Sequence, residues 1–174
     1  MRGSDGISKN MTVISEAGLV GVVKSVTSNS SIVLLMSDPT FKIGVRIAGT
    51  QSIGVVSGQG GNKYLLQLLD ATGEIKVGDN LVARGSQNGS PFVPGVPIGE
   101  VTAVDNSAGA VTQTADVKFY TNFSTLGVVA VVVSGSSADP RDALVPPKPR
   151  PTPIPTVTIY ATPGAAEPSP TATK

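Results

Sequence analysis

The sequence predicts an all-β protein that ends in a proline-rich tail. Valine and isoleucine dominate residues 11–133, glycines recur there every few residues, and ten of the fourteen prolines fall after residue 139. Branched residues favour pleated strands and glycine clusters favour tight turns, whereas dense proline excludes helices and sheet interiors. Strands spaced at roughly 8–12 residues indicate a small barrel or sandwich, and about eight strands would form one larger barrel or two small ones.

The clearest strand contains Ile43, Val45 and Ile47, which alternate with smaller or polar neighbours. This two-residue period is typical of a half-buried strand. Further strands are predicted over residues 19–26, 32–36, 65–69, 98–104, 111–117 and 126–133. The leucine-rich stretch 63–71 is at the bottom of the helix length range and is interpreted as a strand.

Glycine and Asx clusters predict the connections between strands. They occupy residues 38–39, 58–61, 85–89 and 105–109. Residues 58–61 could also cradle a phosphate, but no capped helix start follows the glycines. Residues 105–109 hold one carboxylate, whereas a calcium loop needs several. Both stretches are therefore predicted to be hairpin turns.

The tail begins at a sharp change of composition near residues 134–140. Residues 146–155 alternate proline with other residues and should be extended and solvated. Residues 161–174 are rich in alanine, threonine, proline and serine and are predicted to be disordered. Residues 156–160 alternate and could form a lone strand, although a linker is the better interpretation. The whole tail is assigned to residues 136–174.

The absence of cysteine and histidine excludes several kinds of chemistry. No disulfide framework, no zinc site built on Cys or His, and no Ser-His-Asp or Cys-His nucleophile can form. No Ser-x-x-Lys motif occurs, and the carboxylates Asp70, Glu74 and Asp79 stand in turn-like segments. We therefore expect no catalytic residue, no cofactor, no metal and no small-molecule substrate.

Charge and hydropathy exclude two further classes of partner. The net charge is +1, basic residues are scattered, and aromatic residues are few, so nucleic-acid binding is not expected. The longest apolar run, residues 127–133, has the length of a strand and not of a membrane span. The residues after Met1 show no signal-peptide pattern.

A rigid loop is the best candidate for partner binding. Three prolines at positions 91, 94 and 97 fix φ there, and glycines at 89, 95 and 99 permit unusual backbone conformations. Such a loop can be a crossover that leads into the next strand, which is the favoured interpretation, or a binding loop. If it binds a partner, we expect Phe92, Val93 and Pro94 to be exposed and to make the contact.

Several segments, taken in order, resemble a known family. They are Gly18-Leu-Val-Gly-Val-Val23 with Ser31-Ile-Val-Leu-Leu35, Val45-Arg-Ile47, Val77-Gly-Asp-Asn-Leu-Val82, and Val93-Pro-Gly-Val-Pro-Ile-Gly-Glu-Val101. Their order and spacing resemble the MreC family of bacterial rod shape-determining proteins over roughly residues 2 to 133. The chain departs from the family pattern at Ala83-Arg84-Gly85, where the family often has Thr-Ser-Gly.

The resemblance implies two small β-barrel-like domains, the first N-terminally truncated. It places the first barrel at residues 1–42 and the second, with its closing strand, at residues 43–135. Six residues are expected to be structural turn residues: Gly18, Gly21, Gly78, Asp79, Gly95 and Gly99.

The resemblance also implies a non-enzymatic scaffold of the cell-elongation machinery for peptidoglycan synthesis. The implied partners are a second copy in a dimer or filament, a class B penicillin-binding transpeptidase, MreD and other shape proteins. The implied location is outside the membrane, anchored by an N-terminal transmembrane helix absent from this chain. The tail would be a spacer near the cell wall, and deletion of residues 140–174 should leave folding and partner binding intact.

Two other functions stay open at the level of sequence. One is a β-barrel module of an envelope transport adaptor, since such adaptors also carry Val-x-x-Gly-Asp turns; the flanking coiled coil and lipoyl-like domain of an adaptor are not found here. The other is a protease-like double barrel, whose architecture fits but whose imidazole base is missing.

Overall fold

The computed structural model describes residues 6–60, 63–70, 73–86, 89–105, 112–135, 138–141 and 143–147. Within these ranges the chain forms ten strands and no α-helix, so the predicted all-β class is confirmed. The strands are β1 Thr12–Ser15, β2 Gly18–Val26, β3 Ser31–Leu35, β4 Lys42–Ile47, β5 Ile53–Gly60, β6 Lys63–Leu68, β7 Asn80–Ala83, β8 Pro97–Asp105, β9 Thr114–Phe119 and β10 Ala130–Val131. No helix in the described part of the chain is long and apolar enough to cross a membrane.

The strands form two sheets. One is an open four-stranded sheet in the order β10-β1-β2-β3, and the other is a closed barrel in the order β4-β5-β6-β9-β8-β7. All the pairings are antiparallel, and β4 closes the barrel by pairing with β7 through Arg46 and Val82. Closure satisfies the backbone groups that an open sheet leaves at its edges.

The barrel core follows the alternation seen in the sequence. Ile43, Val45 and Ile47 of β4 point inward and are buried, as are Leu66 and Leu68 of β6. Their neighbours on the same strands face outward, as the two-residue period requires. The stretch 63–71, interpreted as a strand, contains β6, so that prediction is confirmed.

The open sheet packs one face against the barrel. Leu19 and Met36 are fully buried and belong to the same apolar cluster as the barrel core. Val20 points the other way, into a second cluster with Val13 and Val23. Strand β2 is therefore apolar on both faces, which explains its continuous run of hydrophobic residues.

Buried polar side chains connect the open sheet to the barrel. The Thr121 hydroxyl donates to the Leu19 carbonyl at 2.8 Å. The Thr12 hydroxyl donates to the Pro91 carbonyl at 2.7 Å and accepts from the Val93 N–H at 3.1 Å. Both threonines are almost fully buried, so these bonds satisfy groups that would otherwise be costly to desolvate.

Strand β10 differs from its predicted place. The sequence suggested a closing strand of the second barrel within residues 126–133, but β10 has two residues and pairs with β1, where Val13 lies opposite Val131. The barrel closes without it, and the open sheet takes its edge strand from the far end of the core sequence. The division at residues 42/43 and 135/136 into domains stays a prediction.

Three strands were not among those predicted from periodicity: β1, β5 and β7. Strand β5 contains Gly54 and Gly58, which face inward at places where a side chain would collide with neighbours, and these glycines hide the apolar alternation. Strands β1 and β7 have four residues each, which is too short for a two-residue period to stand out.

Part of the predicted tail is packed against the folded region. Asp139 contacts Arg46 of β4, and Leu144 lines a cavity beside Ile14. Residues 148–174 lie outside the described residues, and with them the predictions for 156–160, for 161–174 and for most of 146–155.

Candidate interaction surface

The predicted binding loop lies between the two sheets. Phe92 and Val93 are half-buried and Pro94 is buried. The Phe92 ring meets Phe41 edge-on, with ring centroids 5.6 Å apart, and the Val93 N–H donates to Thr12. The loop is thus packed as a crossover rather than exposed, because its apolar side chains have barrel and sheet partners. Partner binding by Phe92, Val93 and Pro94 stays a prediction.

Four of the six expected turn residues lie in or next to turns. Gly18, Gly78 and Gly95 have positive φ angles of 145°, 85° and 79°, which glycine adopts without a steric penalty. The Asp79 carboxylate accepts from the Lys76 N–H at 2.8 Å and closes the turn before β7.

Gly21 and Gly99 lie inside strands, which corrects their assignment to turns. A side chain at Gly21 would collide with the Leu34 carbonyl of the neighbouring strand, and one at Gly99 with the Lys118 carbonyl. Register shifts occur near both positions. These glycines permit close strand approach where the sheets bend.

The carboxylates considered for catalysis serve local structure. Glu74 forms an exposed ion pair with Lys76 at 3.1 Å, and Asp79 belongs to the turn just described. Asp70 is exposed, and its backbone carbonyl accepts from Gly73. In the described ranges, no three His, Cys, Asp or Glu residues are grouped so as to hold a metal ion.

The open sheet presents two edge strands. Strand β3 is one edge, and Ile32 on it is 61% exposed. Strand β10 is the other edge. An edge strand leaves a row of N–H and C=O groups that can pair with another chain. These two edges are therefore the places where the sheet can be extended.

Exposed valines flank β10. We call residues 127–133 the valine segment; within it Val128 is 91% exposed, Val133 57% and Val129 44%. Exposed apolar residues beside an open edge favour association with a partner surface. The same residues form the longest apolar run in the sequence, so their composition was visible there but their exposure was not.

A groove runs along the valine segment where it separates from β1. Its volume is about 610 Å³, and it is lined by Ile14, Glu16, Tyr120, Leu126 and Val128 among others. The groove is more apolar than polar and holds one carboxylate, so it suits an extended, mainly apolar segment better than a charged small molecule.

Tyr120 fixes the wall of this groove. Its hydroxyl donates to the Asn80 side-chain oxygen at 2.6 Å. Burial, and then the nearby Glu100 carboxylate, raise the pKa of Tyr120 above its usual value. The hydroxyl is therefore neutral at physiological pH and serves as a hydrogen-bond donor.

An aromatic cluster lies behind β9. The Tyr64 and Phe119 rings are stacked with centroids 3.7 Å apart, and Phe123 meets Phe119 edge-on at 6.2 Å. Burial raises the pKa of Tyr64. All three rings line a second groove of about 710 Å³. Tyr64 and Phe119 are also buried in the apolar cluster of the barrel, so they contribute to the core.

Sequence analysis missed the polar residues that join the two sheets. Thr12 and Thr121 are ordinary strand-region threonines in the sequence, and no motif distinguishes them. Arg46 does carry a signal: it is a charged residue in an apolar strand, and the structure finds it only 5% exposed.

The geometry defines a class: an all-β module in which a closed six-stranded barrel packs on an open sheet that has β3 and β10 as its edge strands. The chain belongs to the MreC family, because residues 2–133 match the family model described as "Rod shape-determining protein MreC, barrel core". The resemblance seen in the sequence is thereby confirmed over the same residues.

Individual relatives agree with this assignment. The cell shape-determining protein MreC of Streptococcus pneumoniae is 31% identical over 135 residues, which cover 74% of this chain and 49% of the relative. The chain thus spans about half the length of that protein.

Solved structures have the same fold. The major periplasmic domain of the cell shape-determining filament MreC is 33% identical with a TM-score of 0.55, covering 67% of this chain and 72% of that one. MreC in a complex with the penicillin-binding protein PBP2 from Helicobacter pylori is 18% identical with a TM-score of 0.51, covering 64% and 69%.

Proposed function

We propose that this chain is a non-enzymatic scaffold module that helps to control bacterial cell shape within the peptidoglycan-synthesis machinery. The observation that carries the proposal is the family match over residues 2–133, which includes every strand of the barrel and of the open sheet. In this proposal the module acts by binding, and its surfaces hold other proteins in position. The family match does not favour the transport-adaptor alternative.

The first proposed partner is a class B penicillin-binding transpeptidase. Support comes from the Helicobacter pylori structure, which is a complex between PBP2 and MreC. MreD and other shape proteins are proposed as further partners from the family resemblance alone. We also propose a location on the outer side of the membrane with an N-terminal membrane anchor, in line with the periplasmic domain named for a related structure.

Self-association is proposed to run through the edges of the open sheet. Strands β3 and β10 are the two edge strands of the open sheet, and the valine segment adds apolar area beside β10. Backbone hydrogen bonds can supply affinity at such an edge while side chains select the partner. A related structure is described as part of a filament.

The test is binding of the full chain to the soluble domain of a class B transpeptidase, with sedimentation of the chain alone. The informative variant is Val128→Asp with Val129→Asp, which places two charges on the valine segment. The matched control is Leu69→Asp with Val77→Asp, since those side chains are also exposed, by 62% and 66%, but lie far along the chain from β10.

We expect saturable binding or concentration-dependent self-association, weakened at least tenfold by the valine-segment variant and unchanged by the control. Because the altered valines are exposed, the thermal midpoint should stay within a few degrees of the parent. The proposal would be contradicted if the chain sedimented as a monomer and showed no binding to the transpeptidase at any concentration.

A further inference from the structure

A row of three outward-facing residues on the barrel is covered although it points away from the core: two of them are buried and the third is half-buried. Arg46 on β4 lies opposite Val82 on β7, and Val82 lies opposite Pro97 on β8. Arg46 is 5% exposed and Val82 is 0% exposed. On the outer face of a small barrel such residues would normally contact water. We call these three residues the barrel row.

The segment after the open sheet reaches both ends of this row. At one end the Asp139 carboxylate accepts from the Arg46 guanidinium at 3.2 Å. At the other end Leu144 and Pro97 line the same cavity of about 260 Å³. We call residues 138–141 and 143–147 the strap.

Next to Asp139, the Pro140 ring of the strap packs against the barrel at a glycine. A side chain at Gly95 would collide with the ring of Pro140. Gly95 has a φ of 79° and is buried. The close approach of the Pro140 ring therefore depends on the bare backbone of the loop that precedes β8.

The cavity under Leu144 is formed where the two sheets meet. Ile14, Gly18 and Val96 share its walls with Pro97. A side chain at Gly18 would collide with the Pro97 carbonyl, so the β1–β2 turn sits directly against the start of β8. Leu144 thus lines a cavity whose other walls come from both the open sheet and the barrel.

We propose that this junction is a binding groove for a turned peptide with a carboxylate, a proline and a distal leucine, and that the strap, which turns where the Ala143 N–H donates to the Pro140 carbonyl, occupies it in cis. The Arg46 guanidinium recognises the carboxylate, the bare surface at Gly95 accepts the proline ring, and the leucine covers one side of the cavity at the sheet junction. A partner segment of the same chemistry binds there by displacing the strap.

The strap is suited to displacement because its anchors are only partly desolvated. The Asp139 side chain is 39% exposed and Leu144 is 53% exposed, whereas the Arg46 side chain beneath is 6% exposed. Contacts of this kind open locally without unfolding the core. Arginine is always charged, so an opened groove keeps a fixed cation for an incoming carboxylate. The strap follows the residues matched by the family model, which end at 133.

The test uses the full chain and a fluorescent synthetic peptide with the sequence of residues 138–147. The open variant carries Asp139→Asn and Leu144→Ser, which weaken both anchors in cis. The matched control carries Asp116→Asn and Leu69→Ser, an exposed carboxylate and an exposed leucine elsewhere. Two altered peptides carry the same Asn or Ser changes as the open variant. Circular dichroism and thermal unfolding check that all the chains are folded.

We expect the open variant to bind the peptide at least tenfold more tightly than the parent and the control do. In those two chains the strap occupies the groove in cis and blocks the peptide. Both altered peptides should bind more weakly than the parent peptide. Amide hydrogen exchange near residues 14–18 and 95–97 should be faster in the open variant only. Equal peptide binding by all the chains, no binding by the folded open variant, or unchanged exchange would overturn the proposal. None of these outcomes depends on the transpeptidase or on self-association.

Discussion

At the scale of single residues, the fold depends on positions that accept no side chain. Gly99 sits inside β8 between Leu81 and Phe119 on its two neighbouring strands, and a side chain there would collide with the Lys118 carbonyl. A backbone carbonyl cannot move aside as a flexible side chain can, because it belongs to the hydrogen-bonded ladder.

Gly99→Ala should lower the free energy of unfolding by about 1–3 kcal/mol, since the added methyl forces two strands apart. The matched control is Gly44→Ala, also within a barrel strand, where an added methyl would meet nothing within 4 Å. Urea denaturation of both variants checks the prediction. Similar stability of the two alanine variants would contradict it.

At the scale of elements, short strands depend on the loops that they contact. Strand β1 has four residues and is held to the loop before β8 by the Thr12 side chain, which bonds Pro91 and Val93. The Thr12 hydroxyl thereby satisfies the Pro91 carbonyl and the Val93 N–H, which lie 79 and 81 residues further along the chain. The loop that holds the predicted partner residues is thus also part of the joint between the two sheets.

Thr12→Val should destabilise the chain by about 2–4 kcal/mol, because it keeps the volume but leaves a part-buried carbonyl and N–H without the hydroxyl. The control Thr102→Val removes an exposed hydroxyl bonded to the Asp116 carbonyl at 3.2 Å, and its effect should stay within about 0.5 kcal/mol. Thermal and urea unfolding measure both changes. An unchanged free energy of unfolding for Thr12→Val would contradict the prediction and show that the joint relaxes around the lost hydrogen bonds.

At the scale of the whole molecule, the open sheet is assembled from distant parts of the chain. Strand β10 adds to β1 after the complete barrel has intervened, so the ends of the core sequence meet in one sheet. The strap then continues from β10 across the barrel surface. The folded region therefore extends beyond the change of composition that marks the start of the proline-rich tail.

Truncation should distinguish the strap from the rest of the tail. A chain ending at residue 147 should match the stability of the full chain, and one ending at residue 137 should lose about 1–3 kcal/mol, because Arg46 loses its carboxylate and the sheet junction loses Leu144. Such a loss would restrict the expectation that residues 140–174 are dispensable for folding to residues 148–174. Unfolding midpoints for the three chains test this, and identical midpoints would favour the original boundary.

The sequence by itself determined the all-β class, most of the strands and the family. These follow from local information: a two-residue period at Ile43, Val45 and Ile47 reports both the strand and its buried face, and ordered glycine turns carry the resemblance. The absence of histidine and cysteine likewise restricted the chemistry without any structure.

Only the tertiary structure decided which strands pair and which outward residues are covered. Periodicity carries no information on partners, so nothing local to Val131 shows that it lies opposite Val13. In the same way, Gly21 and Gly99 look like turn residues until a neighbouring strand is found against them, and Arg46 looks solvated until Asp139 is found on it. Pairing and burial are set by contacts between distant segments, and these contacts exist only once the chain has folded.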